Sequence, residues 1–308
     1  MISLKRVRDE ARDLLELIVV PGLAAVLPWS LCFRVFRGLS RWTFLYRDAC
    51  NEALAHAQRL GFVSDPVQWQ RQRRLVTLID HADFFLATTR SDRWLRRHVV
   101  VQGRWPAAEA AGVLCTFHWG AGMWGLRHAR ASGLRAHALV APHRPELFSG
   151  RSVRFWYFGQ RNAVVARTLG RKPIEVSRNL RPVLQALRAN DQVLAAVDVP
   201  SDQVATSESI DFLGLRARVP RGLLRLAVDS RVPVTVYLTG IRLTDGRRML
   251  SIHQLGRAES VEKLVSDTFA LLQEAVRADP AAWHFWEVAP RFFEPASASA
   301  SSSAQRVD

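Results

Sequence analysis

The chain has 308 residues, 48% hydrophobic and 23% charged, a balance that suits a globular protein with a substantial core, as one large α/β domain or two smaller ones. Its formal charge is +15 with an isoelectric point near 11.2, carried almost wholly by arginine, since Lys5, Lys172 and Lys263 are the only lysines. The three cysteines, Cys32, Cys50 and Cys115, stand too far apart for a disulfide framework or a CxxC metal site.

The first informative segment is "LLELIVVPGLAAVLPWSLCF", Leu14 to Phe33, which is almost wholly apolar. Glu16, Pro21 and Pro28 oppose a full membrane crossing, and the acids in "RVRDEARD" oppose a signal peptide. Basic residues flank it on both sides, with Arg34, Arg37 and Arg41 downstream. Apolar surface plus cationic flanks is the pair of signals that peripheral attachment to an anionic bilayer requires. Residues 1–45 are therefore read as membrane-associating helices, with a buried core helix as the alternative.

Residues 1–95 read as helical throughout. "DPVQWQRQRRLVTLIDHADFFLATTR", Asp65 to Arg90, carries a proline in its first turn and apolar residues at helical spacing, which predicts a long amphipathic helix. The texture then changes to short apolar runs, "HVVVQG", "GVLCTF", "AHALVA", "KPIEV", "QVLAAVDV" and "VPVTVYL", separated by helical stretches. Val261 to Ala278 reads as a final helix. This alternation predicts an α/β fold in three layers, with a mostly parallel sheet covered on both faces, over residues 46–294. The end, "ASASASSSAQRVD", is too polar to pack, and residues 295–308 are expected to be disordered.

One connection stands out: "CTFHWGAGMWGLRHARASG", Cys115 to Gly133. Gly120, Gly122 and Gly125 spell GxGxxG after an apolar strand and before a helix, the context of a dinucleotide fingerprint. The next strand, however, ends in Pro142, His143 and Arg144, where the ribose-binding acid would stand, so an NADP-like cofactor is the only nucleotide reading left. His118 with His128, His137 or His143 gives no recognised metal spacing, and no HExxH occurs. The remaining reading takes His118 as a general base at the C-terminal end of a strand, where open α/β sheets collect ligands. Trp119 and Trp124 would wall an apolar substrate, and the glycines would let an extended chain approach the backbone.

Around this histidine the sequence resembles the lysophospholipid acyltransferase superfamily, in particular the branch of the late acyltransferases of lipid A biosynthesis. That branch carries a box HX4(D/E); here "HWGAGM" matches at His118 and Gly120 but places Met123 at the acid. Downstream, "VAPHRPEL" is similar to a segment that places its arginine at Arg144, and "LRANDQVLAAVDVPSD" to one that places an aspartate at Asp198. "IDFLGLRARVPRGLLRLAVDSRVPVTVYL" and "DPAAWHFWEVAPRF" resemble the later segments, so that order and spacing hold over about residues 20–293.

The resemblance implies transfer of a fatty acyl chain from an acyl carrier protein or coenzyme A thioester to a lipid or glycolipid hydroxyl, or an amine. It implies His118 as base, the thioester as co-substrate with no further cofactor, and a place at the cytoplasmic face of the inner membrane. Acyl carrier proteins are acidic, and the arginine excess would speed their encounter and attract anionic lipids. The arginines are spread along the chain, not gathered into a stripe with aromatic platforms, which argues against nucleic acid.

Met123 supplies no carboxylate to orient His118. Asp198 and Asp202 are the candidate substitutes, a backbone carbonyl is a second possibility, and a noncatalytic acyl-chain binder or scaffold is a third. Arg144 is a candidate for phosphate or oxyanion binding, and Arg221, at a helix start with Arg218 close by, for an anionic headgroup.

Overall fold

A computed structural model describes residues 4–175 and 180–294; the polar tail expected to be disordered lies outside these residues. Helix α1 (Leu4–Asp13) runs through a π-helical turn, Leu14–Val19, into α2 (Val20–Val26), followed by α3 (Trp29–Leu39) and α4 (Arg47–Arg59). The long helix expected from the sequence is α5 (Pro66–Thr89). Asp65 starts it: its Oδ1 accepts the backbone N–H groups of Val67 and Gln68 at 2.9 and 3.1 Å, and Pro66 occupies the first turn, where its missing N–H costs nothing. The short α6 (Asp92–Arg97) leads into the sheet.

Then follow β1 (Val99–Gln102), β2 (Gly112–Thr116), α7 (Met123–Ala131), β3 (Ala136–Val140), α8 (Ser152–Leu169), β4 (Ile174–Glu175), α9 (Arg181–Arg188) and β5 (Gln192–Ala196). A hairpin, β6 (Ser207–Phe212) and β7 (Leu215–Pro220), precedes α10 (Gly222–Asp229), β8 (Val234–Ile241), β9 (Arg248–Gly256) and α11 (Val261–Ala278). The main sheet has seven strands in the order β1-β9-β8-β2-β5-β3-β4. Every pairing is parallel except β8 with β9.

Side chains alternate across the sheet. Leu114, Leu194 and Tyr237 join one apolar cluster with α2, α3, α5, α7 and α8, while Val113, Cys115, Val193, Val236 and Leu238 join a second with α4, α9, α10 and α11. This is the three-layer α/β/α arrangement that the alternating runs predict. All three cysteines are buried in it as free thiols, and burial pushes Cys32 and Cys115 up to about 12 and Cys50 to about 11.

The apolar N-terminal segment is two-sided. Leu17, Val20, Ala24, Trp29, Cys32, Phe33 and Phe36 are buried in the first cluster, together with Leu45 and Tyr46. Tyr46 is also tied back to the segment, donating its backbone N–H to the Glu16 carboxylate at 2.7 Å and its hydroxyl to the Glu16 carbonyl at 2.6 Å. The boundary expected at residues 45 and 46 therefore has no counterpart in the packing, because one core runs through it. The opposite side is apolar as well: Leu4, Val7, Leu14, Val19, Val26 and Leu31 are exposed. Among the described residues no helix is long and apolar enough to cross a membrane.

Candidate active site

Strand register brings the two central side chains together. β2 and β5 are parallel neighbours with Thr116 level with Ala196, and the ladder continues as the Val197 N–H donates to the Thr116 carbonyl at 2.9 Å. Two residues past this last pair, just beyond each strand's end, stand His118 and Asp198. From β2 the chain leaves into α7, in the first apolar cluster; from β5 it leaves towards α10, in the second. Adjacent strands whose connections depart to opposite faces open a crevice at their carboxyl ends. The histidine and the aspartate occupy that crevice.

Asp198 is fully buried, whereas the His118 side chain is 40% exposed. His118 Nδ1 lies 2.9 Å from Asp198 Oδ1, and the His118 backbone N–H donates to Oδ1 and Oδ2 at 2.9 and 3.0 Å. The indole N–H of Trp283 donates to Oδ2 at 3.0 Å. An acceptor facing Nδ1 favours the tautomer with its proton on Nδ1, which leaves the Nε2 lone pair available. Among the described residues nothing hydrogen-bonds Nε2. Phe285 stacks on the imidazole with ring centroids 4.1 Å apart and planes 18° from parallel, closing one face of the ring.

The backbone around His118 is stitched on two sides. Gly120 adopts φ +69°, and a Cβ there would stand 2.1 Å from the Thr239 carbonyl oxygen, so the position requires glycine. Its N–H donates to the Ala282 carbonyl at 3.0 Å, the Ala121 N–H to the Thr239 carbonyl at 2.8 Å, and the His284 N–H to the His118 carbonyl at 2.7 Å. His284 Nε2 lies 2.7 Å from the Gly120 carbonyl, and burial, then the nearby Arg73, pushes the His284 imidazole down to about 4. Arg73, buried on α5, donates to the carbonyls of Trp283 and His284 at 2.9 and 3.1 Å. The closing segment is thus an integral wall of the site.

The other sequence candidates fall elsewhere. Met123 is buried in the first apolar cluster at the start of α7. Asp202 is exposed and pairs with Arg291 at 2.7 Å, so the carboxylate beside His118 is that of Asp198 and not of Asp202. Arg144 is 69% exposed, 4.0 Å from Glu175, and is not among the partners of His118 or Asp198. Arg221, at the start of α10, donates to Glu208 at 2.8 Å. Trp119 is half-buried beside the dyad, packed on Gly240, with its indole N–H 3.3 Å from the Asp279 carbonyl.

Trp124 does not serve as the expected wall, because it lies in the core with its ring under the Arg248 guanidinium. The glycine pattern has a packing explanation too: a Cβ at Gly125 would stand 2.4 Å from the Tyr237 ring, so this residue allows α7 to close on β8. Gly122, by contrast, faces open space. Trp283 and Phe285 are not among the sequence candidates; their signal in the sequence is the aromatic run "AWHFW". Among the described residues no group of three or more His, Cys, Asp or Glu side chains could hold a metal ion. No family model matches this chain, and no curated protein matches it either.

Proposed function

We propose that the chain is an acyltransferase of the lysophospholipid acyltransferase superfamily, moving a fatty acyl group from an acyl carrier protein thioester to a lipid hydroxyl or amine. The observation that carries this reading is the 2.9 Å contact between His118 Nδ1 and the buried Asp198, in the crevice at the carboxyl ends of β2 and β5. In this reading Asp198, just past the end of β5, takes the place of the carboxylate that the motif lacks at Met123. Ordered resemblance over about residues 20–293 supplies the reaction class.

In this reading His118 Nε2 removes the acceptor's proton as the acceptor attacks the thioester carbonyl. Asp198 stabilises the resulting imidazolium and holds its orientation. The tetrahedral oxyanion then collapses, the carbon–sulfur bond breaks, and the departing thiolate takes the proton from Nε2. The products are the acylated acceptor and the free carrier thiol. The net charge of +15 favours encounter with an acidic carrier and with an anionic membrane surface, the cytoplasmic face of the inner membrane in the family's arrangement.

The test is transfer of labelled acyl chains from acyl carrier protein into the lipids of cells making wild type, His118→Ala or Asp198→Asn. A labelled lipid with wild type, absent with His118→Ala and reduced roughly 10²–10⁴-fold with Asp198→Asn, supports the reading. Wild type that binds acyl carrier protein or acyl chains but forms no product would make the chain a binder instead.

A further inference from the structure

The Asp198 carboxylate has two oxygens, and they are not held alike. Oδ1 receives the His118 backbone N–H and faces His118 Nδ1, while Oδ2 shares the backbone N–H and alone receives the Trp283 indole N–H. The shared backbone N–H sits between the two oxygens and does not fix which one faces the imidazole. The terminal torsion of an aspartate is broad, so without a further donor the carboxylate can rotate about its Cβ–Cγ bond and turn its oxygens away from the imidazole. The Trp283 bond supplies that donor, on the oxygen that His118 Nδ1 does not contact.

Trp283 is itself immobilised. It is fully buried, with its ring 5.0 Å from Trp286, 5.6 Å from Phe292 and 5.7 Å from Phe212 between centroids. Its backbone forms a bridge with Trp119, and Arg73 holds its carbonyl at 2.9 Å. A rigid donor aimed at a buried carboxylate oxygen is how supporting residues fix a reacting side chain.

We infer that Trp283 is the positioning residue of the site: by anchoring Asp198 Oδ2 it holds Oδ1 on His118 Nδ1 and so keeps the base on Nε2. This rests on the acyltransferase reading for its catalytic meaning, but its structural content stands independently. It makes the closing segment a working third member behind the His118–Asp198 pair.

The experiment uses full-length protein with 15N-labelled histidine, the His118 signals being assigned by their loss in His118→Ala. Wild type is expected to show one neutral tautomer, protonated at Nδ1. Trp283→Phe, which keeps an aromatic ring and removes the donor, is expected to show a mixture and to lose roughly tenfold or more in acyl transfer, the scale of one charge-assisted hydrogen bond. Replacing Trp283 by 3-benzothienylalanine, isosteric but without the N–H, should reproduce both effects and removes any ambiguity from a poorly folded Phe variant.

Combining Trp283→Phe with Asp198→Ala should cost no more activity than Asp198→Ala alone. A single unchanged tautomer in the benzothienyl variant, or losses that multiply in the double variant, would overturn the inference. If wild type transfers no acyl group, the acyltransferase reading fails, and the tautomer measurement still decides the role of Trp283.

Discussion

At the scale of single residues, the contrast between Asp198 and Met123 is the most instructive. Both positions were readable as alternatives from the sequence: a motif lacking its acid, and an aspartate after a neighbouring apolar strand. Register decides between them, because Thr116 pairs with Ala196 and His118 and Asp198 each stand two residues past that pair, where they meet. Restoring the motif acid by Met123→Glu therefore places a carboxylate into an apolar cluster. The expected outcome is a stability loss of about 2 kcal/mol or more, read as a lower urea midpoint, with no gain in transfer rate. A faster enzyme of unchanged stability would show that the acid reaches His118 from α7. Trp283 was not legible because it contacts Asp198 across 85 positions of sequence, and a buried tryptophan is ordinarily only a core residue.

At the scale of elements, two buried contacts tie the helical layer together. Arg248 of β9 is fully buried, paired with Asp83 of α5, and its guanidinium lies 4.5 Å from the rings of both Trp29 and Trp124. Arg248→Met leaves the Asp83 carboxyl buried without its partner. It should cost about 3–5 kcal/mol, most of which the double change Arg248→Met with Asp83→Leu should restore; denaturant titration of the three proteins checks this.

His81 of α5, 2.8 Å from the Tyr157 hydroxyl of α8, gives the second prediction. Burial pushes its imidazole down to about 3, so between that value and the unfolded value of about 6.5 the unfolded chain binds the extra proton. Its contribution is complete above pH 6.5 and falls as the solution is acidified. His81→Phe, destabilised at pH 7.5 by loss of the Tyr157 contact, should close on wild type by about 2 kcal/mol at pH 5. A gap independent of pH would mean that His81 protonates freely in the fold.

Elements differ in how well the sequence announced them. β8 is buried at all eight positions and reads as an apolar run, and α5 carries its cap and proline. β9 alternates buried and exposed residues, Arg248 in, Met249 out, Leu250 in, so a search for continuous apolar runs passes over it. The β6–β7 hairpin, broken by Leu213 and Gly214 with positive φ, is likewise half-exposed and was absent from the expected strands.

Across the whole molecule, alternating apolar runs announce the layers, whereas the double duty of the N-terminal helices has no such signature. The inner side of Leu4–Leu39 completes the core, so deleting residues 1–33 to test membrane attachment would also remove Trp29 and Phe33 from it. The outer side keeps Leu4 and Val26 at 89% and 75% exposure along the α1–α2 rod, with Arg34, Arg37 and Arg41 exposed just beyond. An exposed apolar stripe bordered by arginines suits the headgroup region of an anionic bilayer. Wild type is expected to sediment with phosphatidylglycerol-containing vesicles and less so in high salt, and the double change Val7→Asp with Val19→Asp should release it while leaving the fold intact. Equal sedimentation of both proteins would remove this face from the membrane reading.

A carboxylate that stands just past the end of β5 bears on how such a chain can diverge. Where the acid stands in the first turn of α7, that turn must satisfy both chemistry and packing, and drift in the core disturbs the reaction. Here the two demands fall on separate strands and helices. Position 123 lies in the first apolar cluster, and an exchange among apolar residues of similar volume there leaves the His118–Asp198 pair in place. The histidine and its partner, in turn, are held together by the alignment of two neighbouring strands, which an insertion in a connecting helix need not disturb.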